Sequence, residues 1–406
     1  MTRKINSSIL LDKSKITKFV DALNSRERIT GLTHNFYNYP ARFSPLFAKE
    51  AIRTFTDVGD LIIDPFVGGG TTLMEARTLG RRAIGTDLNE LAIFLSKVKT
   101  TLLSNTEAHE LRRWCNRLPE KITLHKPVKS VSVESYQKYL RNFSTIQLWP
   151  IRKTIELGIN QTDELSSKKL QNFARCILLK SGQWAVDGRK VIRSAKELRY
   201  KIPEFGFDMI EASLAYTSEV RRADSLSKST YKRRTRCIKT SAENISDHVD
   251  SVKDGAPKLI LTSPPYPGVH VLYHRWQING GKETGAPYWI TNKSDGFGAS
   301  YYTFGDRHSK TLESYYFNLL KIFTNMRSIA DENTIIVQLI AFSNYRWQLQ
   351  RYLDTMTEAG YKEIKLSEYS NYDDGRLWRD VPNRKWHANS KGATNSSQEV
   401  VLFHTI

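Results

Sequence analysis

Cysteine is scarce in this sequence. The 406 residues hold Cys115, Cys176 and Cys237, far apart along the chain. That spacing forms neither a metal-binding pair nor a disulfide framework, and it suits a reducing compartment, the cytoplasm. No apolar run approaches the roughly 18 residues of a membrane span. The patch around Ile9–Leu11 is too short for a secretory signal. Internal repeats and long low-complexity tracts are also missing. Acidic residues are in deficit: 42 Asp and Glu stand against 61 Lys and Arg, a net charge of +19. Such an excess attracts polyanions, nucleic acid above all; the bland alternative is a basic surface kept for solubility.

Apolar residues are plentiful enough, at 40%, to bury a sizeable core, which excludes a chain disordered throughout. Short apolar runs alternate with helix-like stretches. Leu61–Phe66 reads as a buried strand between Gly59-Asp60 and Gly68-Gly69-Gly70, and Thr71–Leu79 as the helix after it. Arg82–Thr86 is a second strand, and Asn89–Leu103 a helix with Leu91, Leu95, Val98 and Leu102 on one face. From about Asn105 to Arg236 the chain is mostly helical, charged and dotted with aromatics. Strand-like segments then resume at Cys237–Thr240, Lys258–Thr262 and Thr334–Phe342, with helices at Leu312–Ile329 and Trp347–Ala359. Tyr361–Ser367 and Glu399–His404 close the pattern as an antiparallel pair. The expected fold is α/β: about seven strands in one sheet, with a largely helical insertion.

Three glycines follow the first strand, in Asp64-Pro65-Phe66-Val67-Gly68-Gly69-Gly70-Thr71-Thr72. Glycine permits positive φ and close approach of a ligand, and the next helix would present free N–H groups. A nucleotide-hydrolysing loop would end in Gly-Lys-Ser/Thr; here Gly70 precedes Thr71-Thr72 and lysine is missing. Consecutive glycines also fit poorly to the dinucleotide fingerprint G-x-G-x-x-G. Asp87 ends the second strand, where an acid binds ribose hydroxyls in doubly wound folds. Its alternative role is an N-cap for the helix near Asn89. Glycine turn and acid together read as a site for an adenosine-containing cofactor.

A second turn, Thr262-Ser263-Pro264-Pro265-Tyr266-Pro267, ends another strand. Two prolines stiffen it and leave its carbonyls without internal donors. With the Ser263 hydroxyl and the flat face of Tyr266, it suits a planar group bearing an amine; alone, it is also an ordinary proline turn.

Taken together, Asp64–Thr72 and Thr262–Tyr266 resemble the S-adenosylmethionine-dependent DNA amino-methyltransferases. The first stretch is similar to that family's cofactor loop and the second to its catalytic loop. His34-Asn35-Phe36-Tyr37-Asn38-Tyr39-Pro40-Ala41-Arg42-Phe43-Ser44-Pro45 looks like its N-terminal motif, with a hydrophobic lead-in to a helix as the alternative. The resemblance implies a seven-stranded Rossmann-like methyltransferase sheet and S-adenosyl-L-methionine as cofactor. It implies cofactor contacts from Tyr39, Ala41, Asp64, Phe66, Gly68, Gly70, Thr71, Asp87 and Leu88. The catalytic residues it implies are Ser263, Pro264, Pro265 and Tyr266, with no metal. Serine at the head of the catalytic loop resembles the cytosine-N4 branch. Adenine-N6 in DNA, a base in RNA, and a silent DNA-binding protein on the same fold are the alternatives. A Pro-Cys loop, which methylation at a ring carbon needs for its nucleophile, does not occur. Where the family often has an Asp after the third strand this chain has Ser241, with Glu243 as a substitute or a helix cap.

The organisation implied is residues 1–104 and 236–406 as the two parts of the methyltransferase domain. Residues 105–235 are the insertion and candidate target-recognition region. The expected partners are double-stranded DNA and a cognate restriction endonuclease on a separate chain, with no membrane. Arg221, Arg222, Lys228, Lys232, Arg233, Arg234 and Arg236 offer a phosphate-binding cluster or a solvated linker. Gly268–Lys310 reads as a mobile loop beside the base pocket, and Val381–His387 as a basic, aromatic turn.

Overall fold

The computed structural model describes residues 12–27, 30–39, 44–125, 137–226, 235–250, 252–269, 275–278, 281–296, 299–305, 311–380 and 398–406. Ala41, Lys228, Lys232, Arg233, Arg234 and the turn at 381–387 lie outside them. The described elements start with α1 (Lys13–Asn24), α2 (Pro45–Phe55), β1 (Leu61–Asp64), α3 (Thr71–Thr78), β2 (Arg82–Asp87) and α4 (Glu90–Lys99). The insertion holds α5 (Asn105–Lys121), α6 (Trp149–Gln161), α7 (Lys168–Val186) and α8 (Ala195–Leu226). Then come β3 (Thr235–Lys239), β4 (Leu259–Thr262), β5 (Trp276–Ile278), β6 (Lys282–Thr284) and α9 (Ala286–Thr291). The chain closes with α10 (Glu313–Arg327), β7 (Ile335–Ile340), α11 (Tyr345–Glu358), β8 (Lys362–Ile364), β9 (Leu377–Asp380) and β10 (Gln398–Thr405).

The main sheet has the order β3-β2-β1-β4-β7-β10-β8, with β9 also paired to β10. Strands β3, β2, β1, β4 and β7 run parallel, and β10 lies antiparallel between β7 and β8. The seven in line form the expected Rossmann-like sheet. The expected closing pair is β8 with β10. An eighth strand, β9, was not anticipated; it is too short for a period-two pattern to declare itself.

Every residue of β1 and β4 is buried, as strands covered on both faces must be. Leu61 and Ile63 pack with Tyr315, Phe323 and Tyr352 of α10 and α11, whereas Ile62 packs with Phe19, Phe47 and Phe55 of α1 and α2. Alternation along one strand thus builds a helix layer on each face.

The insertion is not a separate body. Its helices share a core with Leu91, Phe94 and Leu95 of α4, and with Phe36, Tyr37 and Tyr39 near the N-terminus. Segment 275–291 joins the same core. Far from an open loop, its described part is the β5–β6 hairpin followed by α9. Trp276 is 1% exposed and donates its indole N–H to the Tyr37 hydroxyl at 2.9 Å. Gly182 makes room for it: a Cβ there would lie 2.5 Å from the indole ring. Among the described residues, no helix is long and apolar enough to cross a membrane.

Candidate active site

The turn after β1 is held from several sides. Val67 N–H donates to the Thr86 carbonyl at 2.9 Å, and Gly70 N–H to the Val67 carbonyl at 2.8 Å. Gly68 and Gly70 both have positive φ, 46° and 80°. Gly70 starts α3 in a left-handed conformation that side chains resist, and a Cβ there would sit 2.7 Å from Ser96 Oγ. The carbonyls of Gly68 and Gly69 accept from Ser96 Oγ and Lys99 Nζ of α4. Lys99 is completely buried; its place on an otherwise apolar helix face gave no sequence signal of this role.

Asp87 ties the loop to β2. Its Oδ2 accepts from Gly68 N–H at 2.9 Å and its Oδ1 from Asn89 N–H at 2.8 Å. The N-cap of α4 is Asn89, which accepts from Leu91 N–H, so capping is not the task of Asp87. Burial under the loop pushes the Asp87 carboxyl up to about 6, against the pull of those backbone N–H groups. Asp64 is more deeply placed. Its Oδ1 accepts from Thr262 Oγ1 at 2.9 Å and from Phe66 N–H at 3.2 Å, stitching the end of β1 to the end of β4. Burial raises its carboxyl to about 6 as well.

The turn after β4 is equally constrained. The Pro265 carbonyl accepts from the Tyr315 hydroxyl at 2.7 Å, and the Pro267 carbonyl from Ser343 Oγ at 3.1 Å. Ser263 Oγ donates to the Tyr266 hydroxyl at 3.1 Å, which donates in turn to Glu399 Oε1 at 2.9 Å.

Both turns open on one cavity at the C-terminal edge of the parallel strands, where ligands gather in α/β sheets. Its empty space, about 730 Å³, includes the open solvent at its mouth. The first turn contributes Pro65, Phe66 and Gly68; the end of β2 contributes Asp87, Leu88 and Asn89. Ser241 and Ala242 come from beyond β3, and Ser263 and Pro265 from the second turn. Tyr39, Tyr302 and Phe304 complete the wall.

Seven of the expected residues therefore meet there: Tyr39, Phe66, Gly68, Asp87, Leu88, Ser263 and Pro265. Asp64, Gly70 and Thr71 support the wall from behind rather than line it, and Pro264 is buried. The Tyr266 ring, expected as a stacking face, is 6% exposed and packed in the core under α10 and α11. The aromatic faces at the cavity are instead Tyr39, Phe66, Tyr302 and Phe304. Phe304 meets Phe66 edge-on at 5.4 Å. Tyr302 and Phe304 belong to Gly268–Lys310, the stretch expected beside the base pocket. Ser241 caps the short helix Ala242–His248, and Glu243 pairs with Lys321 at 2.7 Å, so Glu243 does not take the place of the family's Asp.

Of the expected basic cluster, Arg222 pairs with Glu219 and Arg236 with Asp254, and Lys228, Lys232, Arg233 and Arg234 lie outside the described residues. Cations also gather around two aromatic rings at the α7–α8 elbow. Arg189 and Arg193 lie 5.8 and 5.3 Å from the Trp184 ring centre, and Lys180 and Lys201 lie 5.0 and 4.9 Å from that of Phe205. Gln183 exchanges two hydrogen bonds with the backbone of Asn38, which seats this elbow beside Tyr39 and the cavity. Among the described residues, no group of three or more His, Cys, Asp or Glu is placed to hold a metal ion.

Residues 13–97 match the N6/N4 methyltransferase family model, described as DNA methylase. The chain is 38% identical over 104 residues to the Type II methyltransferase M.MvaI of Kocuria varians, 25% of this chain and 21% of that protein. It is 35% identical over 79 residues to the Type II methyltransferase M.MjaII of Methanocaldococcus jannaschii, 20% of this chain and 15% of that one. The DNA adenine methyltransferase YhdJ of Escherichia coli is 29% identical over 86 residues, 21% of this chain and 29% of its own. The chain thus matches 15–29% of the length of these relatives.

Proposed function

We propose that this protein transfers the methyl group of S-adenosyl-L-methionine to the exocyclic N4 amine of cytosine in double-stranded DNA. The observation that carries this reading is the shared cavity: the triple-glycine turn and the Ser-Pro-Pro-Tyr turn face the same space. The residues present fit the cofactor. Asp87 is an acceptor with lone pairs beyond the two backbone bonds it already makes, suited to vicinal ribose hydroxyls. Gly68 leaves the wall flush, and Phe66 and Tyr39 offer faces for a planar ring. When bound, S-adenosyl-L-methionine supplies an electrophilic sulfonium methyl.

An exocyclic amine is a poor nucleophile because its lone pair is delocalised into the ring. Ser263 Oγ and the Pro264 carbonyl accept its two N–H bonds and turn the lone pair outward. Much of the acceleration comes from holding amine and methyl in line. No covalent enzyme intermediate is needed. Burial pushes all three thiols up to about 12, so none is a ready thiolate nucleophile. A base in a duplex must rotate out of the stack to present its amine. Tyr302 and Phe304 are the faces that receive it, and the cationic elbow beside the cavity holds the phosphates. The insertion, residues 105–235, supplies target recognition, and a restriction endonuclease on another chain is the natural partner of such an activity.

Similarity to YhdJ, an adenine methyltransferase by name, favours adenine-N6 as the second reading. The test is to incubate unmethylated genomic DNA with labelled S-adenosyl-L-methionine and to chromatograph the nucleosides. Label in N4-methylcytosine supports the proposal; label in N6-methyladenine alone replaces it with the second reading.

A further inference from the structure

Ser263 does not stand alone at the cavity wall. Behind it runs a buried series of polar groups that the sequence keeps far apart. Arg379 on β9 and Glu399 on β10 are direct cross-strand partners in the antiparallel ladder. Arg379 donates from Nε at 2.8 Å and from Nη2 at 2.6 Å, both to Glu399 Oε2. The other oxygen, Oε1, accepts from the Tyr266 hydroxyl, and that hydroxyl accepts from Ser263 Oγ. The side chains of Arg379 and Glu399 are 13% and 6% exposed, so water is poorly placed to compete.

The direction of this series is fixed at its far end. A guanidinium only donates, and the carboxylate it holds only accepts. The single Tyr266 proton is therefore committed to Glu399, which leaves only lone pairs facing Ser263. The single Ser263 proton is committed in turn to Tyr266, pointing away from the cavity. We infer that Glu399, oriented by Arg379 and acting through Tyr266, is a positioning residue that fixes Ser263 as a hydrogen-bond acceptor toward the substrate amine. A serine free to rotate would donate to the amine lone pair as readily as accept from its N–H, and so tie up the electrons needed for bond formation. This inference rests on the reading of Ser263 as the group that meets the amine.

The thiol introduced by Ser263→Cys reports on the relay without cofactor or DNA. The native cysteines, pushed up to about 12, stay silent below that range. In the intact relay Tyr266 has no proton to offer a thiolate, so ionisation is disfavoured. Adding Glu399→Gln frees the phenol proton, and the new thiol is expected to ionise about one pH unit lower, with alkylation by iodoacetamide about tenfold faster below that pH. Adding Tyr266→Phe as well should abolish the difference. No change on Glu399→Gln, or the same change with Tyr266→Phe present, overturns the inference, the latter because charge through space would then suffice.

Turnover provides the second measurement, should Glu399→Gln fail to fold. Tyr266→Phe alone is expected to lower kcat about tenfold with KM for the cofactor unchanged, and to add nothing further to Ser263→Ala, because groups acting in one series are not additive. Fully additive losses overturn the inference. A wild-type protein that methylates no DNA while the thiol behaves as stated contradicts the proposed function and leaves the relay intact.

Discussion

Gly68 N–H donates to Asp87 Oδ2 at 2.9 Å, across 19 positions of sequence. That bond makes the glycine turn and the end of β2 a single surface. Asp87→Ala removes both a ribose acceptor and this fastening. A hydrogen bond to a charged group contributes about 1.5–3 kcal/mol. The cofactor dissociation constant is therefore expected to rise about 10- to 100-fold by calorimetry. An unchanged value would confine Asp87 to fastening the loop.

Gly70 tests the turn from the other side. Its φ of 80° and the 2.7 Å approach of a Cβ to Ser96 Oγ leave little room for a side chain. Gly70→Ala is expected to lower stability to urea by about 1–3 kcal/mol. Wild-type stability would show that α4 can withdraw at little cost.

Asp64 gives a pH signature. Its carboxyl is raised from 3.8 to about 6, chiefly by burial. Because the folded value exceeds the unfolded one, the folded state keeps its proton through a window in which the unfolded state has lost it. Stability from this group is full below the unfolded value and is lost as pH rises to about 6. Relative to Asp64→Asn, the wild type should thus lose on the order of 3 kcal/mol between about pH 4 and pH 7. Urea unfolding of both proteins at the two pH values measures it, and a constant gap would refute the burial argument.

At the α7–α8 elbow, Arg193 and Lys201 both lie within 6 Å of the Trp184 ring centre, at 5.3 and 5.9 Å. Reversing both charges is expected to weaken duplex DNA binding about tenfold or more near 0.1 M salt and to flatten the salt dependence by roughly one unit per lost contact. Cofactor affinity should not change. Equal salt slopes for variant and wild type would move the DNA path elsewhere.

The sequence made the two turns legible because local chemistry declares them: three glycines between strand and helix, and two prolines at a strand end. The parallel strands were legible as short apolar runs. Three features were not. The Ser263–Glu399 connection joins groups whose intermediate pair, Tyr266 and Glu399, is separated by 133 positions, and no local pattern records such a contact. Strand β9 is four residues long and alternates too briefly to stand out. Segment 275–291 read as part of a mobile loop because its aromatics stand among glycines and cations, whereas Trp276, Tyr288 and Ile290 are buried against the insertion helices. The misplaced role of Tyr266 has the same origin: its neighbours on β10 were invisible from its own loop.

The most direct measurement is a crystal structure of the protein with S-adenosyl-L-homocysteine. Density for the nucleoside is expected against Phe66, Gly68 and Asp87, with the sulfur end turned toward Ser263. Density outside this cavity, or within it but turned away from Ser263, would contradict a single site built from both turns.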